Sequence, residues 1–177
     1  MKTLEEFLIK NRACEDGFDF AKDLTLEEFL NTCRRGDWIL WLFARTNPDS
    51  LRELTLAKGH CANTVRGEMH DERSTNAVDV AIAFGEGKAT REELDDAAAA
   101  AAAAAVAWDA AAAYAAAYAA GAAYAAAAAA YAAYAAAYAR AAAYAAGDAA
   151  AKKENQKLTA DICRTYLRLE IWDQLSI

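Results

Sequence analysis

Apolar positions recur with helical period through residues 1–91, and each apolar run is bounded by residues that start or stop helices. In Thr3-Leu4-Glu5-Glu6 and Thr25-Leu26-Glu27-Glu28 a threonine stands three positions before a glutamate. At that spacing each side chain can take the other's backbone amide, so both segments open short helices. The stretch WILWLFAR, Trp38 to Arg45, puts Trp38, Trp41 and Leu42 on one face, with Ile39 and Phe43 extending it and Asp37 placed to cap it. This helix is expected at the centre of the core. Asn47 and Pro48 read as cap and first position of a helix carrying LRELTLAKGHCANTV, followed by an exposed turn, GEMHDERS. Ser74 or Thr75 restarts a helix that runs through Phe84, where Gly85 and Gly87 stop it. Thr90-Arg91-Glu92-Glu93 then forms another capping box.

From Ala97 to Ala151 the pattern changes: 41 of 55 positions are alanine, the strongest helix former, and strand is excluded by composition. One unbroken helix of that length would run roughly 80 Å, about twice the span of a domain this size. Breaks are therefore expected at Gly121 and at Gly147-Asp148, although Gly121 also fits a close helix crossing without a break. Asp148 is placed to begin the last helix, AAAKKENQKLTADICRTYLRLEIW. The expectation is an all-α fold, a helical bundle in which long Ala/Tyr-rich helices pack on shorter N-terminal helices. It forms one domain over 1–177, with mixed short helices in 1–91, Ala/Tyr-rich helices in 92–147 and a C-terminal helix in 148–177.

The tyrosines of this tract are spaced as a seam. Tyr124, Tyr131 and Tyr138 lie seven apart, Tyr134 follows Tyr131 by three, and Tyr114 and Gly121 are again seven apart with Tyr118 between them. Alanine lets helix backbones approach closely while phenol rings fill the remaining volume. Asp109, Arg140 and Asp148 are too few charges to make a solvated outer face, so an extended interface and a homo-oligomer are expected. A second reading makes Tyr114, Tyr118, Tyr124, Tyr131 and Tyr138, with Arg140, the lining of a groove for a nucleotide-like ligand.

Charge and chemistry narrow the function. The net charge of −7 leaves no basic stripe to neutralise a nucleic-acid backbone, so neither DNA nor RNA is an expected partner. A membrane span is not expected either, because alanine inserts poorly and the tyrosines recur throughout instead of forming belts. Cys14, Cys33, Cys61 and Cys163 are scattered without a CxxC pair or a secretory leader, which reads as reduced thiols in a cytoplasm. His60, Cys61 and His70 lack metal-ligand spacing, and adjacent helical residues point about 100° apart, too far for a nucleophile and its base. The acidic pairs belong to helix starts, and GEGKAT lacks the length and preceding strand of a phosphate loop. No catalytic residue, metal site or cofactor is expected, and an enzyme is not. Arg34-Arg35-Gly36-Asp37-Trp38 is the segment most like a partner-binding junction, because arginine and tryptophan dominate interface hot spots; a plain helix–helix corner is its structural alternative.

RACEDGFDFAKDL, TLEEFLNTCRRGDWILWLFAR, LRELTLAKGHCANTV, NAVDVAIAFGEGKATREELDDAAAAA, the Ala/Tyr tract and ADICRTYL follow one another over nearly the whole chain. In that order they resemble the Ala/Tyr-rich helical immunity-like proteins of bacteria and phages, with RLEIW departing where a proline commonly precedes the tryptophan. The resemblance implies an α-helical protein without known catalytic residues, named by analogy with antidotes that neutralise toxins. The function expected on that basis is a non-enzymatic binding protein of bacterial or phage conflict that neutralises a toxin or effector protein. A sponge for a small nucleotide-like signal and a self-assembling helical scaffold are the alternatives.

Overall fold

The computed structural model describes residues 4–69, 71–105 and 149–172, and over these the chain is all helical. Eight α-helices and no strand occur among the described residues: α1 (Leu4–Lys10), α2 (Glu15–Ala21), α3 (Leu26–Thr32), α4 (Gly36–Thr46), α5 (Leu51–Asn63), α6 (Glu72–Gly85), α7 (Arg91–Ala105) and α8 (Ala149–Tyr166). None of them is long and apolar enough to cross a membrane. The tyrosine seam, with its expected breaks at Gly121 and Gly147, lies outside the described residues, as does His70.

Local chemistry starts two of these helices where the pattern places them. At α3 the Glu28 amide donates to Thr25 Oγ1 at 3.2 Å and the Thr25 amide donates to Glu28 Oε2 at 2.8 Å, a complete capping box. Thr90 and Glu93 repeat it at α7, at 3.2 and 2.7 Å. Packing then takes over. α5 runs along α6, α6 along α7, and α8 lies across both α4 and α5. Ile39, Leu40, Leu42 and Phe43 of α4 are all buried, each worth about 2 kcal/mol of transfer free energy. This helix is the centre that its apolar pattern foretells, although Trp38 and Trp41 are only half-buried.

Several boundaries differ from the sequence expectation: the last helix, expected to run through Trp172, ends at Tyr166, and two helix starts shift, one through a tertiary contact and one through a local cap. Asn47 does not start α5; it ends α4, its amide donating to Phe43 O at 2.8 Å, while its buried side chain donates to Ile171 O at 2.9 Å. Ser50 precedes α5 instead, and Pro48 sits in the turn between. α6 begins earlier than Ser74, at Glu72, because the Asp71 carboxylate accepts from the Arg73 amide at 2.9 Å. The supposedly exposed turn before it buries Met69.

Lys58 is a lysine buried in the core. It is 3% exposed on the inner face of α5, one turn from the buried and unpartnered Thr55 Oγ1, and burial alone pushes its pKa down to about 8. The folded state thus sheds this proton more readily than the unfolded chain, whose lysine titrates near about 10.4. Stability must rise with pH between those values and is lost again as pH falls through the lower one. Lys58→Met is expected to stabilise the protein at neutral pH by on the order of 3 kcal/mol, with the advantage shrinking by about pH 10. Urea unfolding at both pH values checks this; equal stability at neutral pH would contradict it.

Candidate functional site

α4 carries two stripes. Its inner one is the core just described; its outer one holds Arg35, Trp38, Trp41 and Arg45 at spacings of three and four. Cys33, buried with its thiol pushed up to about 12, donates from Sγ to Arg35 O at 3.4 Å. From α8, Arg164 donates to Leu30 O at 2.6 Å and also to Cys33 O, satisfying carbonyls at the end of α3. These contacts hold the three-residue link into α4, and with it the position of Arg35.

Asp37 was expected to cap α4 and does not. It lies inside the first turn, 2% exposed, and accepts both Arg35 Nε at 2.8 Å and an Arg35 terminal nitrogen at 2.5 Å. This fork holds the Arg35 guanidinium above its ordinary pKa. The same guanidinium lies 4.6 Å from the Trp38 ring centre, and Phe20 packs on Trp38 at 5.6 Å. A buried carboxylate thereby positions an arginine against an indole.

Beside this group opens a cleft of about 440 Å³ between α4 and the α1–α2 hairpin. Leu8, Phe29, Trp38, Trp41 and Leu42 give it apolar walls, and Arg12, Cys14, Asp16 and Arg35 give it polar ones. Gly17 sits where an added Cβ would come within 3.1 Å of Cys14 Sγ and 3.7 Å of the Trp38 ring, so a side chain there would crowd the cleft. A volume of this size with apolar walls and a few polar groups fits a small molecule or an anchoring side chain.

Of the residues singled out in the sequence, Arg35 and Trp38 come together on the cleft, whereas Arg34 is exposed and not part of its wall. Tyr114, Tyr118, Tyr124, Tyr131, Tyr134, Tyr138 and Arg140 lie outside the described residues. Arg12, Cys14 and Asp16 were missed. They belong to a turn without glycine or proline and to α2, whose N-cap, Cys14, makes no side-chain cap bond, so no punctuation marks them.

The histidine and cysteine positions diverge as helical geometry requires. Cys61 Sγ is 3.7 Å from Thr159 O and 3.9 Å from Cys163 Sγ, all buried between α5 and α8. His60 stacks on Tyr166 with ring centres 4.3 Å apart, and burial holds its pKa below the usual value. Cys163 is held well above the ordinary thiol range by burial and by its cysteine neighbour. Among the described residues no three His, Cys, Asp or Glu side chains are grouped to hold a metal ion. Comparison with protein families, curated proteins and solved structures finds no match for this chain.

Asp37→Asn keeps the shape of the acid but removes the charge that holds Arg35. The expected result is a loss of about 2 kcal/mol in urea unfolding, together with an altered near-ultraviolet dichroism of the tryptophans. An unchanged signal and midpoint would mean the fork does not position the arginine.

Proposed function

We propose that this is a non-enzymatic binding protein of the immunity type, working in the cytoplasm, which neutralises a toxin or effector by taking an apolar side chain of it into the cleft. The observation that carries this reading is the cleft itself, where Trp38 and Trp41 stand half-buried on a rigid helix beside a guanidinium. Large aromatic groups with arginine at the edge of a desolvated pocket are the side chains that dominate protein–protein binding energy. Phe20, 38% exposed against Trp38, extends the apolar surface beyond the pocket.

A nucleotide-like ligand is the weaker reading at this place, because the guanidinium seated on the Trp38 ring, where a base and its phosphate would have to meet, is already taken up by Asp37. The tyrosine groove that also motivates that alternative involves residues outside those described. Self-association through the Ala/Tyr tract belongs to the same proposal, as the means by which its many alanine methyl groups are covered.

A growth-rescue screen against toxin genes of bacteria and phages tests the reading. The chain is expected to restore growth against at least one toxin, and Trp38→Ala with Trp41→Ala to lower rescue at least ~10-fold, the effect of losing one hot-spot contact. Cys14→Phe fills the cleft without removing a core side chain and should act alike, with circular dichroism verifying that each variant is helical. No rescue of any toxin, or full rescue by the folded variants, would refute it.

A further inference from the structure

Two helices end with the same pair of backbone bonds, and only one of them uses the residue that turn prefers. After α6, the Gly87 amide donates to Phe84 O at 3.0 Å and the Lys88 amide to Ala83 O at 2.7 Å, with Gly87 at φ 78. After α1, the Arg12 amide donates to Ile9 O at 3.1 Å and the Ala13 amide to Leu8 O at 3.0 Å, with Arg12 at φ 52. The motif places one residue in the left-handed region, where glycine is unstrained and a side chain is disfavoured. Arg12 is the only non-glycine residue with positive φ among those described. Glycine would serve the turn better; what arginine adds is a guanidinium at the cleft wall, and it forms no ion pair among the described residues.

Arg45 supplies a second unsatisfied cation. Its guanidinium lies 4.8 Å from the ring centre of Trp41, a cleft residue, and its Nε is buried without a hydrogen-bond partner. It likewise has no ion pair among the described residues, and burial pulls its pKa down. Arg35, by contrast, is already matched by Asp37. Asp16 is the one acid among the residues that line the cleft, where Arg12 and the already paired Arg35 face it, and Arg45 stands next to that lining, over Trp41. The chain as a whole is acidic, with a net charge of −7, and repels negative segments that do not reach Arg12 and Arg45.

We propose that the cleft receives an acidic segment of a partner protein, a bulky apolar side chain lodging against Trp38 and Trp41 while neighbouring carboxylates meet Arg12 and Arg45. This rests on the reading of the cleft as a partner site and adds the charge of what it takes. The anchor gains apolar burial; the carboxylates gain two guanidinium donors that now lack partners.

The test is selection from a phage-displayed random peptide library on the immobilised full chain, then fluorescence-polarisation titration of the enriched peptides. Enriched sequences are expected to carry an aromatic or branched apolar residue with Asp or Glu close by, and to bind Arg12→Gly and Arg45→Gln at least ~10-fold more weakly. Arg12→Gly should at the same time raise Tm by about 2 °C, since it relieves the left-handed strain. A merely structural role for Arg12 would not strengthen the fold and weaken binding together. Enrichment of basic peptides, enrichment of none, or undiminished binding by the two arginine variants would overturn the proposal. If peptides lose binding to Trp38→Ala or Cys14→Phe but keep it with the arginine variants, only the acidic partner is refuted; if they bind all variants alike, the cleft reading falls with it.

Discussion

Gly36 has no room for a side chain. An added Cβ there would stand 2.7 Å from Thr159 Oγ1 and 2.8 Å from the Thr159 backbone carbon, closer than carbon atoms in proteins approach. The start of α4 is thus pressed directly onto α8, and the contact continues in small steps: Cys163 Sγ to Gly36 O at 3.6 Å, and Cys61 Sγ to Cys163 Sγ at 3.9 Å. Beyond these, Asn155 Nδ2 donates to Thr64 Oγ1 at 2.9 Å, Asn47 Nδ2 donates to Ile171 O, and the Trp172 ring meets Phe43 edge-on at 5.0 Å. Residues 155–172 thereby close over residues 30–64, so the end of the chain is part of the core that its first half begins. Small side chains make the approach possible, and the energy comes from many close contacts.

That docking decides which face of α4 remains for other work. With Ile39, Leu40, Leu42 and Phe43 turned inward, the stripe of Arg35, Trp38, Trp41 and Arg45 is left against α1 and α2 and towards solvent. Arg164 of α8 fixes the link before it, Asp37 fixes Arg35, and Arg35 lies on Trp38. The α4 wall of the cleft is held by these contacts, which lowers the ordering that binding an anchor against it would cost. The unmatched charge of Arg12 is tolerated in the cleft wall, and that of Arg45 over Trp41, because water reaches part of each side chain.

Much of this was legible in the sequence where the signal was local. The threonine–glutamate boxes at Thr25 and Thr90 and the glycines closing α6 specify structure within a few residues and appear as written, while Thr3 of the first box lies outside the described residues. The apolar run of α4 forms its helix, but Leu42 turns inward with Ile39 and Phe43 and leaves Trp38 and Trp41 on the other stripe. What was not legible depends on which partner a polar side chain finds, far along the chain or close by. Asn47 looked like a helix start until Ile171 supplied its acceptor, and Asp37 looked like a cap until Arg35 folded back onto it. Arg35 and Trp38 were singled out as hot-spot residue types, yet the cavity beside them comes from a turn at Arg12 that no glycine announces. The left-handed arginine is the clearest case: its backbone angle, invisible in the sequence, is what marks it.

The central claim is that α8 and α4 form one cooperative core, from which the cleft inherits its shape. Native-state hydrogen exchange of the full chain tests it most directly, comparing the amides of Leu40 to Phe43 with those of Ala160 to Cys163. The account predicts that both sets exchange only through the same global opening and share one free energy and one denaturant dependence. Exchange of the α8 amides orders of magnitude faster, with α4 still protected, would contradict it.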